Sequence, residues 1–289
     1  MNKAKESPSK SNQIPAAARS ALLPGSDSDR EKRVATIGAL TGLRHENGRY
    51  RRANFERALL LDAIVAALRP ADVLELGTGR GLGALAMAAA AHGHGFRTRI
   101  TTVDVLPAGA RQHWPIETGG RREIRQTSRT EVWSEHFPAE WRGMISEVTG
   151  LTTEFLPRLL REGKTYDFIF IDAGHDLFSV VHDLSYAAML LAPGGWILMD
   201  DFAPASDYGL ATCLASSHAR RSFRVIEVLV TEGVVFGDAE LPGLPRSMVL
   251  LGERSPGIGL HRSRLWFWKL AGKILDLSFR PSLFPLAAE

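Results

Sequence analysis

The chain has 289 residues, of which 45% are hydrophobic and 23% charged, enough to bury a substantial core and too apolar for a disordered or fibrous protein. Its one cysteine, Cys213, excludes an internal disulfide and a cysteine-clustered zinc site, and fits a reducing compartment. Thirty-five Lys and Arg against 32 Asp and Glu leave a net charge of +3, too small to imply nucleic acid without a clustered basic stripe.

That charge is unevenly spread. Residues 1–33 hold seven basic and four acidic side chains and residues 253–289 six and three, so each end carries +3 and the body between them −3. The first 33 residues are rich in Ser, Pro and Lys and lack apolar periodicity, which predicts a disordered tail. No apolar run approaches a bilayer span or a signal-peptide core, so the expectation is a cytoplasmic protein.

In residues 54–68, Phe55, Leu59, Leu60, Ile64, Val65 and Leu68 recur at helical spacing and stop before Pro70. Val73-Leu74-Glu75-Leu76 then reads as a short buried strand. The loop Gly77-Thr78-Gly79-Arg80-Gly81-Leu82-Gly83 turns it into an alanine-rich helix over 84–91, the opening of an α/β unit. Further strands are predicted over 100–104, ending in Asp104, and over 145–148. A helix over 153–161 leads to the strand Tyr166-Asp167-Phe168-Ile169-Phe170-Ile171-Asp172, apolar on both faces as a central parallel strand should be. A helix over 178–191, the turn Pro193-Gly194-Gly195 and a strand over 196–201 follow. The last pair, 224–230 and 246–251, has turn residues and no convincing helix between, which predicts an antiparallel hairpin.

The stretch between Leu106 and Met144 is too long for a simple connection and carries Trp114, Arg121, Arg122, Arg125, Arg129 and Trp133. It reads either as a lid or substrate loop or as a solvated helix bearing arginines. Beyond the domain expected over 34–252, Trp266, Phe267, Trp268, Leu270, Ile274 and Leu275 fall on one face of a helix over 262–280. Arg262, Lys269, Lys273 and Arg280 lie opposite. That pattern suits either a peripheral contact with an anionic membrane or packing within the protein.

A glycine loop between a strand and a helix lets backbone approach a ligand, but Gly79-x-Gly81-x-x-Ala84 with Asp104 fits a nicotinamide dinucleotide as well as an adenosyl group. The whole ordered set is more specific. Glu75-Leu-Gly77-Thr78-Gly79-Arg-Gly81, Asp104, the strand ending in Asp172, and Pro193-Gly194-Gly195 before a terminal hairpin closely resemble the class I S-adenosylmethionine-dependent methyltransferases over about residues 50–252. The resemblance implies a doubly wound, Rossmann-like α/β fold with a seven-stranded, mainly parallel sheet. It places Glu75, Gly77, Thr78, Gly79 and Gly81 under the methionine part of the cofactor, Asp104 on its ribose, and Gly150, Leu151 and Thr152 beside its adenine. Leu151 departs from the acid often found there.

Ile171-Asp172-Ala173-Gly174-His175 with Met199-Asp200-Asp201 is similar to a narrower group, the metal-dependent small-molecule O-methyltransferases of the catechol type and the sugar and antibiotic-tailoring type with Asp-x-x-His. This likeness implies a Mg²⁺ ion on Asp172, Asp200 and Asp201, with Asp172 also touching the cofactor, and His175 as the base that deprotonates a small-molecule hydroxyl. The catechol type usually has an amide where Asp201 stands, so this site is more negative. Two rival enzymes share the pattern: a metal-independent methyltransferase and a nicotinamide-dependent oxidoreductase, the latter lacking a substrate domain here. A non-catalytic adaptor at a membrane surface is the third.

Overall fold

The computed structural model describes residues 28–44, 50–51, 55–118, 121–202, 209–215, 223–231, 234–236, 239–241 and 245–253. In chain order they form α1 (Ser28–Leu40), β1 (Leu43–Arg44), β2 (Tyr50–Arg51), α2 (Phe55–Leu68), β3 (Asp72–Leu76), α3 (Leu82–Gly93) and β4 (Arg99–Asp104). Next come β5 (Arg111–Thr118), β6 (Arg121–Ser128), α4 (Arg129–His136), α5 (Ala139–Arg142), β7 (Ile145–Thr149), α6 (Thr152–Arg161), β8 (Tyr166–Ile171) and α7 (Leu177–Leu190). The last are β9 (Leu191–Phe202), α8 (Gly209–Ala215), β10 (Phe223–Thr231), β11 (Val234–Phe236), β12 (Ala239–Leu241) and β13 (Pro245–Glu253). The amphipathic pattern over 262–280 lies outside the described residues.

Seven strands make one sheet in the order β10-β13-β9-β8-β3-β4-β7. Neighbours from β9 to β7 run parallel, and β13 pairs antiparallel with both β9 and β10. The fold is the doubly wound α/β architecture that the alternating strands and helices predict. Two apolar layers sandwich the sheet, one built with α1, α2 and α3 and the other with α6, α7 and α8. α3 fits closely because Gly83 and Ala84 to Ala91 are all buried, and short side chains let its backbone approach the strands and α2.

Register fixes what sits at the functional edge. Leu76 lies opposite Val103 on one side and Ile171 on the other, and Ile171 lies opposite Met199. The residues that follow, Gly77, Asp104, Asp172 and Asp200, therefore line up across four adjacent strand ends. The chain order reverses between β3 and β8, the place where open parallel sheets leave a crevice beyond their C-terminal ends.

Two expectations need correction. α1 begins at Ser28, inside the stretch expected to be a tail, because Val34, Ile37 and Leu40 form an apolar face that packs against α2 and α3. The Arg30 guanidinium forms an ion pair with the buried Asp62 carboxylate at 2.8 Å and donates to the Leu59 carbonyl at 3.0 Å. Nor is the 106–144 insertion a solvated helix bearing arginines. It is the antiparallel hairpin β5–β6 followed by α4 and α5, and it buries Trp114, Arg129 and Trp133. Ser128 and Glu131 form a capping box at the start of α4, the Glu131 backbone N–H donating to the Ser128 hydroxyl and the Ser128 N–H to the Glu131 carboxylate.

Candidate active site

A cavity of about 600 Å³ opens over the strand ends, and Glu75, Gly77, Thr78, Gly79, Asp104, Gly150, Leu151, Thr152 and Asp172 all line it. Gly77 has φ 92 and its Cα faces the Asp172 backbone, so any Cβ there would collide with that carbonyl. The close approach joins the glycine loop to the end of β8, where the Asp172 N–H also donates to the Leu76 carbonyl at 2.8 Å.

Asp104 shapes the same loop. One carboxylate oxygen accepts the Gly79 N–H at 2.7 Å and the other the Leu106 N–H at 2.8 Å. Each oxygen keeps a lone pair for a ligand hydroxyl. Leu151 is half exposed at the rim, at the N-cap of α6.

Glu75 is buried in the floor. It accepts the Thr102 hydroxyl, which lies 2.6 Å from that of Thr78. Burial pushes the Glu75 carboxyl up to about 8, the Thr102 bond opposing and the charge of Asp172 adding to the rise.

Gly81 is placed differently from the other loop glycines. It does not line the cavity, because its Cα faces the Trp133 ring, whose indole N–H donates to the Arg80 carbonyl at 3.2 Å. Its φ of 94 is used to start α3 and to admit that ring. The insertion thus braces the loop from behind, and Arg129 completes the brace by donating to the Gly79 carbonyl at 2.7 Å and pairing with Glu147.

At the neighbouring strand ends Asp172, Asp200 and Asp201 bring carboxylate oxygens within 4.8 Å of one another. Successive strand residues normally face opposite ways. Asp201 escapes that rule through a φ of 58, which lets two consecutive acids face one cluster. His175, in the loop after β8, places Nδ1 3.0 Å from the Asp201 carboxylate. That contact, against the opposing effect of burial, raises the His175 pKa above its ordinary value. α7 is capped by Asp176, which accepts the Phe178 and Ser179 N–H groups, so Asp172 is not spent as a helix cap.

Arg57, in the first turn of α2, was not singled out by the sequence. Its guanidinium bonds Asp172 at 2.8 Å and makes a second ion pair with Asp200, whose side chain is almost wholly buried. Like charges about 5 Å apart cost roughly 3 kcal/mol per pair in a protein environment, so three adjacent carboxylates need a cation. Even so, burial outweighs Arg57 and raises Asp172 to about 7. The signal for Arg57 was present: it shares the helical face of Leu61 and Ile64, both buried, and a charge on a buried stripe needs a partner.

Asp172 borders both the large cavity and the smaller cleft formed with His175, Asp200 and Asp201. The acid cluster and its histidine therefore adjoin the cavity directly. A glycine-loop cavity with a polar cluster at one end can hold two reactants side by side.

Residues 74–202 match the family model described as a methyltransferase domain. No curated protein sequence matches the chain. Among solved structures it is similar to an O-methyltransferase from Bacillus cereus in complex with SAH, at 16% identity and TM-score 0.45, covering 81% of this chain and 94% of that one. It is also similar to the O-methyltransferase TomG from Streptomyces achromogenes in complex with SAM, at 15% identity and TM-score 0.48, covering 83% and 96%. The matched residues 74–202 contain the glycine loop, the switch point and the acid-bearing strand ends, so this part of the chain is similar to a methyltransferase domain.

Proposed function

We propose that the protein transfers the methyl group of S-adenosylmethionine to a hydroxyl of a small molecule, with a divalent cation such as Mg²⁺ on Asp172, Asp200 and Asp201 and His175 as general base. The carrying observation is that Asp172 belongs both to the cofactor-sized cavity and to the cluster that holds His175. Gly77, Thr78 and Gly79 bring backbone under the methionine end, above Glu75. Asp104 accepts the ribose hydroxyls on its remaining lone pairs, and Gly150, Leu151 and Thr152 flank the adenine.

Three oxygen donors within 4.8 Å of one another suit a hard cation. Such an ion, when bound, lowers the pKa of an acceptor hydroxyl. His175 with Nδ1–H donated to Asp201 is left with a lone pair on Nε2 to take the hydroxyl proton. Asp201 has a second oxygen, so pairing with His175 does not preclude ligation.

The test is methyl transfer from labelled S-adenosylmethionine to a panel of phenol, sugar and polyketide hydroxyls, with and without chelator. Turnover is expected to fall in chelator and return with Mg²⁺ or Mn²⁺. Asp104→Ala is expected to weaken S-adenosylhomocysteine binding about tenfold or more, as loss of a charged acceptor should. Unchanged affinity would remove the cofactor assignment. Arg57, already bridging two of the acids, favours a second reading in which no ion is needed; full turnover in excess chelator selects it.

Among the described residues no helix is long and apolar enough to cross a membrane. The buried lone thiol of Cys213 supports a cytoplasmic setting. The basic and Trp/Leu-rich pattern of 262–280 supports peripheral contact with anionic membranes, which co-sedimentation of the full chain with anionic vesicles at low salt tests.

A further inference from the structure

Arg57 occupies an unusual place. It enters from α2, an element outside the strand-end loops, and its side chain, 13% exposed, reaches Asp172 and Asp200 together. Asp201 adds a third negative charge within 4.8 Å, and His175 faces that carboxylate from the loop after β8. Counting formal charges with His175 neutral, the three acids carry −3 and Arg57 leaves −2.

We infer that Arg57 is the resident counter-cation of this cluster: it stabilises the ion-free protein and, by the same charge, lowers the cluster's affinity for a divalent ion. The inference rests on the cation reading of the site given above. Three carboxylates held this close, two of them buried, repel one another, and a guanidinium that pairs with two of them offsets much of that cost. A divalent ion entering the cluster meets a positive charge already bonded to two of its ligands. The ion therefore binds against Arg57, which must shift or share the carboxylates. Placement on α2 links ion occupancy to the helix layer rather than to the strand-end loops alone. Arg57 is a positioning residue in this account, acting through Asp172 and Asp200.

The test combines charge variants with two readouts that do not depend on turnover: thermal melting without added metal, and Mn²⁺ binding followed by electron paramagnetic resonance, both at pH 8.5 on the full chain with S-adenosylhomocysteine. Arg57→Gln is expected to melt lower without metal and to bind Mn²⁺ at least tenfold tighter. Arg57→Lys, which keeps the charge, is expected to bind Mn²⁺ within a fewfold of the parent. Asp201→Asn added to Arg57→Gln restores the formal −2, so the double variant is expected to melt higher than Arg57→Gln alone, including the case in which the single variant fails to fold. Equal or weaker Mn²⁺ binding by a folded Arg57→Gln overturns the inference, as does a double variant no more stable than the single. If neither parent nor variant binds Mn²⁺, the cation reading of the site fails. The counter-charge role is then decided by the metal-free melts alone: rescue by Asp201→Asn upholds it, and no rescue overturns it.

Discussion

Glu75 shows how one buried side chain couples the floor of the cavity to stability. Its carboxyl is raised from 4.5 to about 8, chiefly by burial, so the folded protein keeps a proton that the unfolded chain gives up. Below pH 4.5 both states are protonated and the group contributes nothing. Between 4.5 and about 8 the unfolded chain ionises while the folded one resists, so stability falls as pH rises, and above about 8 the loss is complete. Glu75→Gln keeps an acceptor for the Thr102 hydroxyl and never ionises. Without cofactor, its stability relative to the parent is expected to climb between pH 5 and pH 8.5, by on the order of 3 kcal/mol, then level off. Paired thermal melts across that range check it. A constant difference would mean that Glu75 is ionised in the folded protein and that burial does not dominate.

At the scale of elements, the strands and helices that carry the sheet were legible because their cues are local. Tyr166-Asp167-Phe168-Ile169-Phe170-Ile171 is apolar on both faces and forms β8; Pro70 and Gly77 punctuate the segment holding β3; Asp104 ends β4 as expected. The strand-end acids were legible too, since a parallel sheet places them on one edge whatever its details. The insertion was not, because its landmarks are ambiguous alone. An arginine cluster reads as solvated until something shows what the arginines bond, and the partners of Arg129 include the Gly79 carbonyl and Glu147, 50 and 18 residues away. The setting of Gly81 was hidden for the same reason, since nothing local says that its open side faces Trp133.

The brace gives the insertion a measurable role. Arg129 and Trp133 fix the Gly79 and Arg80 carbonyls, and with them the loop backbone that lines the 600 Å³ cavity. Arg129→Gln removes a buried charge from Glu147 and Gly79, so S-adenosylhomocysteine affinity is expected to fall about threefold to tenfold, a loss of roughly 1 kcal/mol expressed through loop geometry. Calorimetric titration measures it. Wild-type affinity in a folded Arg129→Gln protein would show that the loop holds its shape without the insertion.

Across the whole molecule, α1 is tied to the α/β domain through charge as well as apolar packing. Val34, Ile37 and Leu40 belong to the same apolar layer as α2 and α3, and Trp114 of the insertion donates its indole N–H to the Leu40 carbonyl at 2.7 Å. Arg80 adds a second tie, reaching from the glycine loop to the Gly42 carbonyl and, at 2.8 Å, to that of His113. Residues 28–42 are therefore joined to the glycine loop and the insertion alike, although Ser/Pro/Lys composition near the start masks it. Arg30 is the sharpest probe of this attachment. Its guanidinium bonds Asp62, whose side chain is 3% exposed, and His94 lies further from the same oxygen at 3.8 Å. Removing one member of a buried ion pair leaves a poorly compensated charge and typically costs about 3 kcal/mol or more. Arg30→Ala is expected to lose about that much in denaturant unfolding, and Arg30→Ala with Asp62→Asn to recover most of it because the stranded charge is gone. A chain beginning at Val34 should behave like Arg30→Ala. If both unfold at the same denaturant concentration as the parent, α1 rests on the surface without supporting the domain, and the body of the protein begins at α2.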